Sequence, residues 1–178
     1  AHYDTAGPKP GADDNASGVA GLLELARLLK DTQLRAGVDL VAYTLEEPPH
    51  FRTTDMGSWM HAHSLQRANV VVRGMLALEM IGYFSDAPGS QQYPVPMLGW
   101  LYPDTGNYAA VVGNLGGPLL VRRVKAAMRA ATALPVESVN APEVIRGVDF
   151  SDHRSYWEHG FSAVMITDTA FFRNPNYH

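Results

Sequence analysis

Asp13 and Asp14 stand side by side at the start of a helical stretch, within Gly11-Ala-Asp-Asp-Asn-Ala-Ser-Gly18. Adjacent carboxylates repel one another, so a fold that fixes both together needs solvent around them or a cation beside them. Asn15 and Ser17 are residue types that cap helix N-termini. Val19, Leu22, Leu23, Ala26 and Leu29 then recur at helical spacing. The stretch reads as an acidic turn feeding a helix from about Ser17 to Lys30. As a simple helix cap it needs no ion, and as a metal-binding turn it needs partners elsewhere in the chain.

The rest of the chain says where such partners would lie. Val38–Leu45 reads as a buried strand that ends on Glu46-Glu47 and is stopped by Pro48-Pro49. Further strands are expected within Asn69–Met80, ending near Glu79, and over Tyr108–Val112, Val136–Val139 and Ser162–Thr167. Helices are expected over Thr54–Ala68, Pro118–Ala133 and Ser151–Glu158, the last capped by Ser151 or Asp152. Between Phe84 and Asn107 runs a long loop rich in Gly, Pro and aromatic residues, a length that in a small domain usually serves function. Strands alternating with helices predict an α/β fold, a mostly parallel sheet with helices on both faces. Ligands in such sheets gather at the carboxyl ends of the strands. Glu46, Glu47, Glu79 and Asp168 fall there.

Composition narrows the classes. A chain of 178 residues suits one domain with a substantial core. A net charge of -4 and the lack of any basic run argue against nucleic acid as the main partner. The absence of cysteine excludes disulfides and thiolate zinc sites. No apolar run reaches the roughly 18 residues of a membrane span. No signal-peptide pattern is visible, but the chain opens on Ala-His-Tyr-Asp without Met, which leaves its compartment open.

His2, Asp13, Glu47, Glu79 and His178 supply one imidazole or carboxylate from each of five segments. That donor mixture suits zinc, cobalt or manganese better than calcium. Five protein ligands exceed what one catalytic zinc usually takes, and they fit a pair of ions bridged by one carboxylate. Glu46, beside Glu47, is available as a general base. Asp4 shares a face with His2 on an extended segment. His61 and His63, two apart on a helix, face different ways and read as ordinary surface or core residues. Asp168 reads as a turn cap. Taken alone, these residues support a carboxylate–histidine metal site and go no further.

His2-Tyr-Asp4, Gly11-Ala-Asp-Asp-Asn-Ala-Ser-Gly18, Glu46-Glu47, Leu78-Glu-Met-Ile-Gly82, Ser151-Asp-His153 and Arg173-Asn-Pro-Asn-Tyr-His178 stand in the order found in the co-catalytic di-zinc aminopeptidase family, which this chain resembles over essentially its whole length. Glutamate carboxypeptidases, glutaminyl cyclases and transferrin receptors are relatives within that family. The resemblance implies a zinc-exopeptidase three-layer sandwich with two Zn2+, for which Co2+ or Mn2+ can substitute. It implies that His2 and Glu79 hold one ion, Glu47 and His178 the other, and that Asp13 bridges them. Asp4 would orient His2, and the peptide between Asp13 and Asp14 would be cis. Many members have Asp where this chain has Glu79. Glu46 would take a proton from the attacking water and return it to the leaving amine, with the Tyr177 hydroxyl stabilising the oxyanion. Trp100 and Tyr102 are expected to wall the pocket for the substrate's first side chain, and Arg173 to contact substrate or support the last loop. The implied substrate is a peptide cut at its N-terminus. A glutaminyl cyclase using one zinc and a non-catalytic relative are the alternatives, although such non-catalytic relatives lose ligands. The resemblance also implies an extracytoplasmic location, secreted or periplasmic. Family domains are longer at both ends, so residues 1–178 are expected to be the central part of a single, larger catalytic domain.

Overall fold

Four short strands form one sheet in the order β1-β4-β2-β3 in a computed structural model that describes residues 1–178. The strands are β1 (Met75–Glu79), β2 (Ala109–Gly113), β3 (Val136–Asn140) and β4 (Ala163–Thr167). The helices are α1 (Gly18–Leu29), α2 (Gly57–Arg67), α3 (Pro118–Ala131) and α4 (His153–Glu158). β1 pairs with β4 in parallel, as does β2 with β3, whereas β2 and β4 run antiparallel. The central strands β2 and β4 are buried along their whole length, as their unbroken apolar runs require.

Side chains alternate between two covered faces, as the two-residue period of a strand dictates. On one face Val111, Val164 and Ile166 meet Val121 and Val124 of α3. Leu78 and Ile81 extend this layer to Gly21 of α1, where a side chain would collide with both. On the other face Ala110, Val112 and Met165 pack with Tyr108 and Val148. Ala163 on that side meets Ala62 of α2 and Tyr156 of α4, with Tyr43 alongside. The result is the α/β arrangement with helices on both faces that the alternation of elements predicts. It sets the carboxyl ends of β1 and β4 side by side, beneath the turn that starts α1.

One expected strand is missing. Residues 38–45 are extended, but their only bridge joins Tyr43 to His2, through Tyr3 N–H to Tyr43 O and Tyr43 N–H to Ala1 O, both 2.9 Å. No other strand lies beside them, and Val38 and Leu40 are 52% and 37% exposed. β1 is likewise an edge, paired only with β4, and Leu76 on it is 46% exposed.

Two predictions come from this packing. A Cβ at Gly113 would sit 2.4 Å from Val121 Cγ2, so Gly113→Ala overfills the sheet–α3 layer. It should cost about 1–3 kcal/mol, read as a lower urea midpoint at unchanged slope. The second concerns His153, fully buried at the start of α4, whose Nε2 donates to Val148 O at 2.8 Å and whose ring lies edge-on to Trp157. Burial lowers its pKa to about 4. The unfolded imidazole gains its proton first as pH falls, so this contribution is intact above about 6.5 and is lost between about 6.5 and 4. The stability of the wild type minus that of His153→Gln should therefore shrink by about 2–3 kcal/mol between pH 7.5 and 4.5; a constant difference would exclude the effect.

Candidate metal centre

His2 is wholly buried, held by the short pairing of its segment with Tyr43. Its Nδ1 lies 3.2 Å from the Asp4 carbonyl and 3.5 Å from Asp4 Oδ1. A proton on Nδ1 leaves the lone pair on Nε2. Nε2 faces three carboxylates: Asp14 Oδ1 at 3.2 Å, Glu79 Oε1 at 3.4 Å and Glu46 Oε2 at 3.8 Å. The other oxygen of Asp14 lies 2.9 Å from His178 Nε2, and Glu47 Oε1 is 3.5 Å from the same nitrogen. Asp14 thus spans the two imidazoles. Donor atoms of His2, Asp14 and Glu47 all lie within 4.8 Å of one another.

Apart from the 3.4 Å hydrogen bond between His2 Nε2 and Glu79 Oε1, these atoms face each other without hydrogen-bond geometry. Asp14 Oδ1, Glu47 Oε1 and His178 Nε2 are buried and have no hydrogen-bond partner. Buried polar atoms are normally paired. The charge balance points the same way. Burial, then the charge of Glu79, pushes Glu46 well above the usual carboxylate range. Burial and Asp14 push Glu47 up to about 7, and burial raises Glu79. Burial disfavours a charged His2, yet Glu79, Asp14 and Asp4 together raise its proton affinity far above that of a free imidazole. A cluster this rich in negative charge, with unpaired oxygen and nitrogen lone pairs turned inward, has the donor set of a divalent-cation site.

Hydrogen bonds from below set the donors. Glu79 Oε2 accepts from Ser151 Oγ at 2.6 Å and from Asn15 Nδ2 at 3.2 Å, which turns Oε1 toward His2. Asn15 also donates to Leu78 O and accepts from the N–H groups of Gly18 and Met80, fastening the turn before α1 to the end of β1. Asp4 accepts from the backbone N–H groups of Glu46 (3.3 Å) and Glu47 (3.0 Å). Burial works against its charge, but His2 and those two N–H groups hold it down at about 2. Asp4 therefore positions the Glu46-Glu47 turn as well as His2.

The position expected to bridge is corrected by one residue. Asp13 lies outside the cluster: its oxygens accept from Gly82 N–H at 3.1 Å and Asn174 Nδ2 at 2.8 Å. Gly11 turns the chain through a left-handed φ of 62°, and successive side chains then leave the turn on opposite sides, Asp13 toward the last loop and Asp14 inward. The cis peptide joins Asp14 to Asn15, not Asp13 to Asp14. The helix caps are corrected as well. Ser151 and Asp152 make no cap bond to α4. Ser151 serves Glu79, and Asp152 is fully buried with neither oxygen bonded. Ser151 looks like a capping residue in the sequence, and only its burial gives it away; Asn15 does serve the start of α1, its Oδ1 accepting from the Gly18 N–H at 3.1 Å. Asp168 does hold a turn, accepting from Tyr83 and Ala170 N–H.

Beside the cluster opens a cavity of about 120 Å3, walled by Glu79, Met80, Tyr108, Met165, Phe172 and Tyr177 among others. The Tyr177 ring stacks on His178 at 3.9 Å. Tyr102 lines the cavity, with its hydroxyl donating to Ser138 O at 2.8 Å. Trp100 does not line it and is 84% exposed, because the short helical turn Pro96–Trp100 points its ring into solvent. Arg173 is 5% exposed and supports the loop: Nη1 donates to Tyr108 O and Tyr83 O, Nε donates to Gln91, and its plane lies over Tyr108.

Comparison with known proteins follows the same lines. An Escherichia coli protein, the uncharacterized YfbL, is 56% identical over 186 residues, covering all of this chain and 57% of the relative. A probable aminopeptidase of Saccharomyces cerevisiae is 25% identical over 174 residues, covering 94% of this chain and 39% of its own. The solved structure of a zinc aminopeptidase from Bacillus subtilis superposes with a TM-score of 0.65 at 19% identity, covering 99% of this chain and 37% of that one, and so shares the fold. The chain thus spans about half the length of the relatives it matches. The sequence pattern of peptidase family M28 matches residues 1–178, and the chain belongs to that family.

Proposed function

We propose that this chain is the catalytic part of a zinc-dependent aminopeptidase that removes N-terminal residues from peptides. The observation that carries this reading is the Asp14 carboxylate set between the Nε2 atoms of His2 and His178. His2, Glu79 and Asp14 would hold one ion, and His178, Glu47 and Asp14 the other. Two such ions would polarise the peptide carbonyl and acidify the attacking water. Imidazole and carboxylate donors favour zinc, and the proteins this chain is similar to include a zinc aminopeptidase of Bacillus subtilis and a probable zinc metalloprotease of Pyrenophora tritici-repentis.

Glu46 has no structural hydrogen bond to its carboxylate. Its backbone is held by Asp4, and its Oε2 stands 3.8 Å from His2 Nε2, at the rim of the donor cluster. A buried carboxylate so placed would take the proton from water and hand it to the departing amine. Tyr177, on the cavity wall beside Glu79, presents a hydroxyl that would donate to the oxygen where charge develops. Burial and the surrounding carboxylates raise the Tyr177 pKa, so the hydroxyl keeps its proton at neutral pH.

Two experiments on the full-length protein test this. Glu46→Gln should keep its metal but lose at least roughly 100-fold in leucine arylamide hydrolysis; activity within a few-fold of wild type would remove Glu46 as the base. Asp14→Asn should lose metal in an atomic count, whereas Asp13→Asn, which touches only Gly82 and Asn174, should retain it. The reverse result would return the bridge to Asp13.

A further inference from the structure

Arg146 stands on the cavity wall where it meets a second, more open depression beside Asp149 and Arg154. Its guanidinium lies 4.5 Å above the ring of Phe171. Phe171 is edge-on to Tyr177 at 5.3 Å, and Tyr177 stacks on His178 at 3.9 Å. A short aromatic path therefore leads from the metal centre to this arginine.

The charges around it are already matched. Arg52 and Arg154 share Asp149, and Arg154 also pairs with Glu158. Glu137 pairs with Lys125, and Glu143 accepts from Asn114. Arg146 has no ion pair or side-chain hydrogen bond. Its place is nonetheless built into the backbone. Gly147 has a φ of +89°, and a Cβ there would lie 3.0 Å from the ring of Phe172 and 3.7 Å from that of Phe171. The chain turns tightly against both rings and lays the preceding side chain on Phe171. Stacking holds a guanidinium by its face and leaves its N–H fork free for a planar anion.

We propose that Arg146 receives a carboxylate of the bound peptide, and that the free C-terminus of a short substrate supplies it. The inference rests on the peptidase reading. The three steps of the aromatic path limit the distance to what an extended peptide of up to about four residues spans, at roughly 3.3–3.6 Å each. An acidic side chain offers the same chemistry, so the test separates the two sources.

Binding is measured by calorimetry on full-length, metal-loaded protein carrying Glu46→Gln, with and without Arg146→Ala. The ligands are Leu-Gly-Gly and its C-terminal amide, then the amides of Leu-Asp-Gly and Leu-Asn-Gly. The free acid should bind about five- to tenfold more tightly than its amide, and Arg146→Ala should erase that preference. Arg146→Lys, which keeps the charge but loses the fork, should keep part of it. If the variant instead erases a preference for Asp over Asn, the carboxylate receptor stands and its source is a side chain. If neither preference exists, or neither responds to Arg146, the proposal is overturned. Carboxylate preference in binding, with no cleavage of Leu-Gly-Gly by metal-loaded wild type, would defeat the aminopeptidase reading alone.

Discussion

Electrostatic repulsion among Asp14, Glu46, Glu47 and Glu79 is the constraint the rest of the structure serves. Four buried carboxylates on two imidazoles are not a stable arrangement by themselves, because burial strengthens every unfavourable pair and removes the water that would screen it. The fold brings them together regardless, from the turn before α1, the segment after Tyr43 and the end of β1. Such an arrangement persists where a cation collects its energy from the same crowding that makes the empty cluster unfavourable.

Neutral and already-paired groups do the holding. Asn15 connects the turn to β1 through both ends of its amide. Ser151 fixes the oxygen of Glu79 that does not face His2. Asp4 holds the Glu46-Glu47 turn by two backbone N–H groups. Each adds a hydrogen bond without adding a donor atom to the cluster, which is how supporting groups shape a metal site. Asp13 and Asn174 complete the frame from the outside, tying the start of the site to the loop that delivers Tyr177 and His178.

Much of this was legible in the sequence, for definite reasons. The apolar period of α3 and the unbroken run of β4 report burial directly, whereas α1 forms where its period puts it but leaves Leu23 66% exposed, because no element covers that side of the helix. Residues 38–45 carry an equally apolar run, yet a strand needs a neighbour to pair with, and no local pattern reports a missing neighbour. His2, Glu47, Glu79 and His178 could be gathered because they are polar residues at the ends of segments. Asp13 and Asp14 could not be told apart, since chemistry is identical at both and only the direction of the backbone through Gly11 decides which carboxylate turns inward. Ser151 looks like a cap because capping and buried hydrogen bonding use the same short polar side chains, and Asn15 does both at once. Trp100 was expected on the pocket wall but faces solvent, and of the two roles open to Arg173 its hydrogen bonds to Gln91, Tyr83 and Tyr108 are those of loop support.

β1 carries Glu79 yet has a neighbour on one side only. A strand with an open row of N–H and C=O groups is a template for another strand. Sheet growth on that side would therefore occur next to a residue of the site, not at a remote margin. A strand docked there would clamp Glu79 laterally, while Ser151 and Asn15 already fix it from below. In architectural terms the open margin and the chemistry share one beam, so any enlargement of the sheet along β1 also tunes how rigidly one face of the cluster is held.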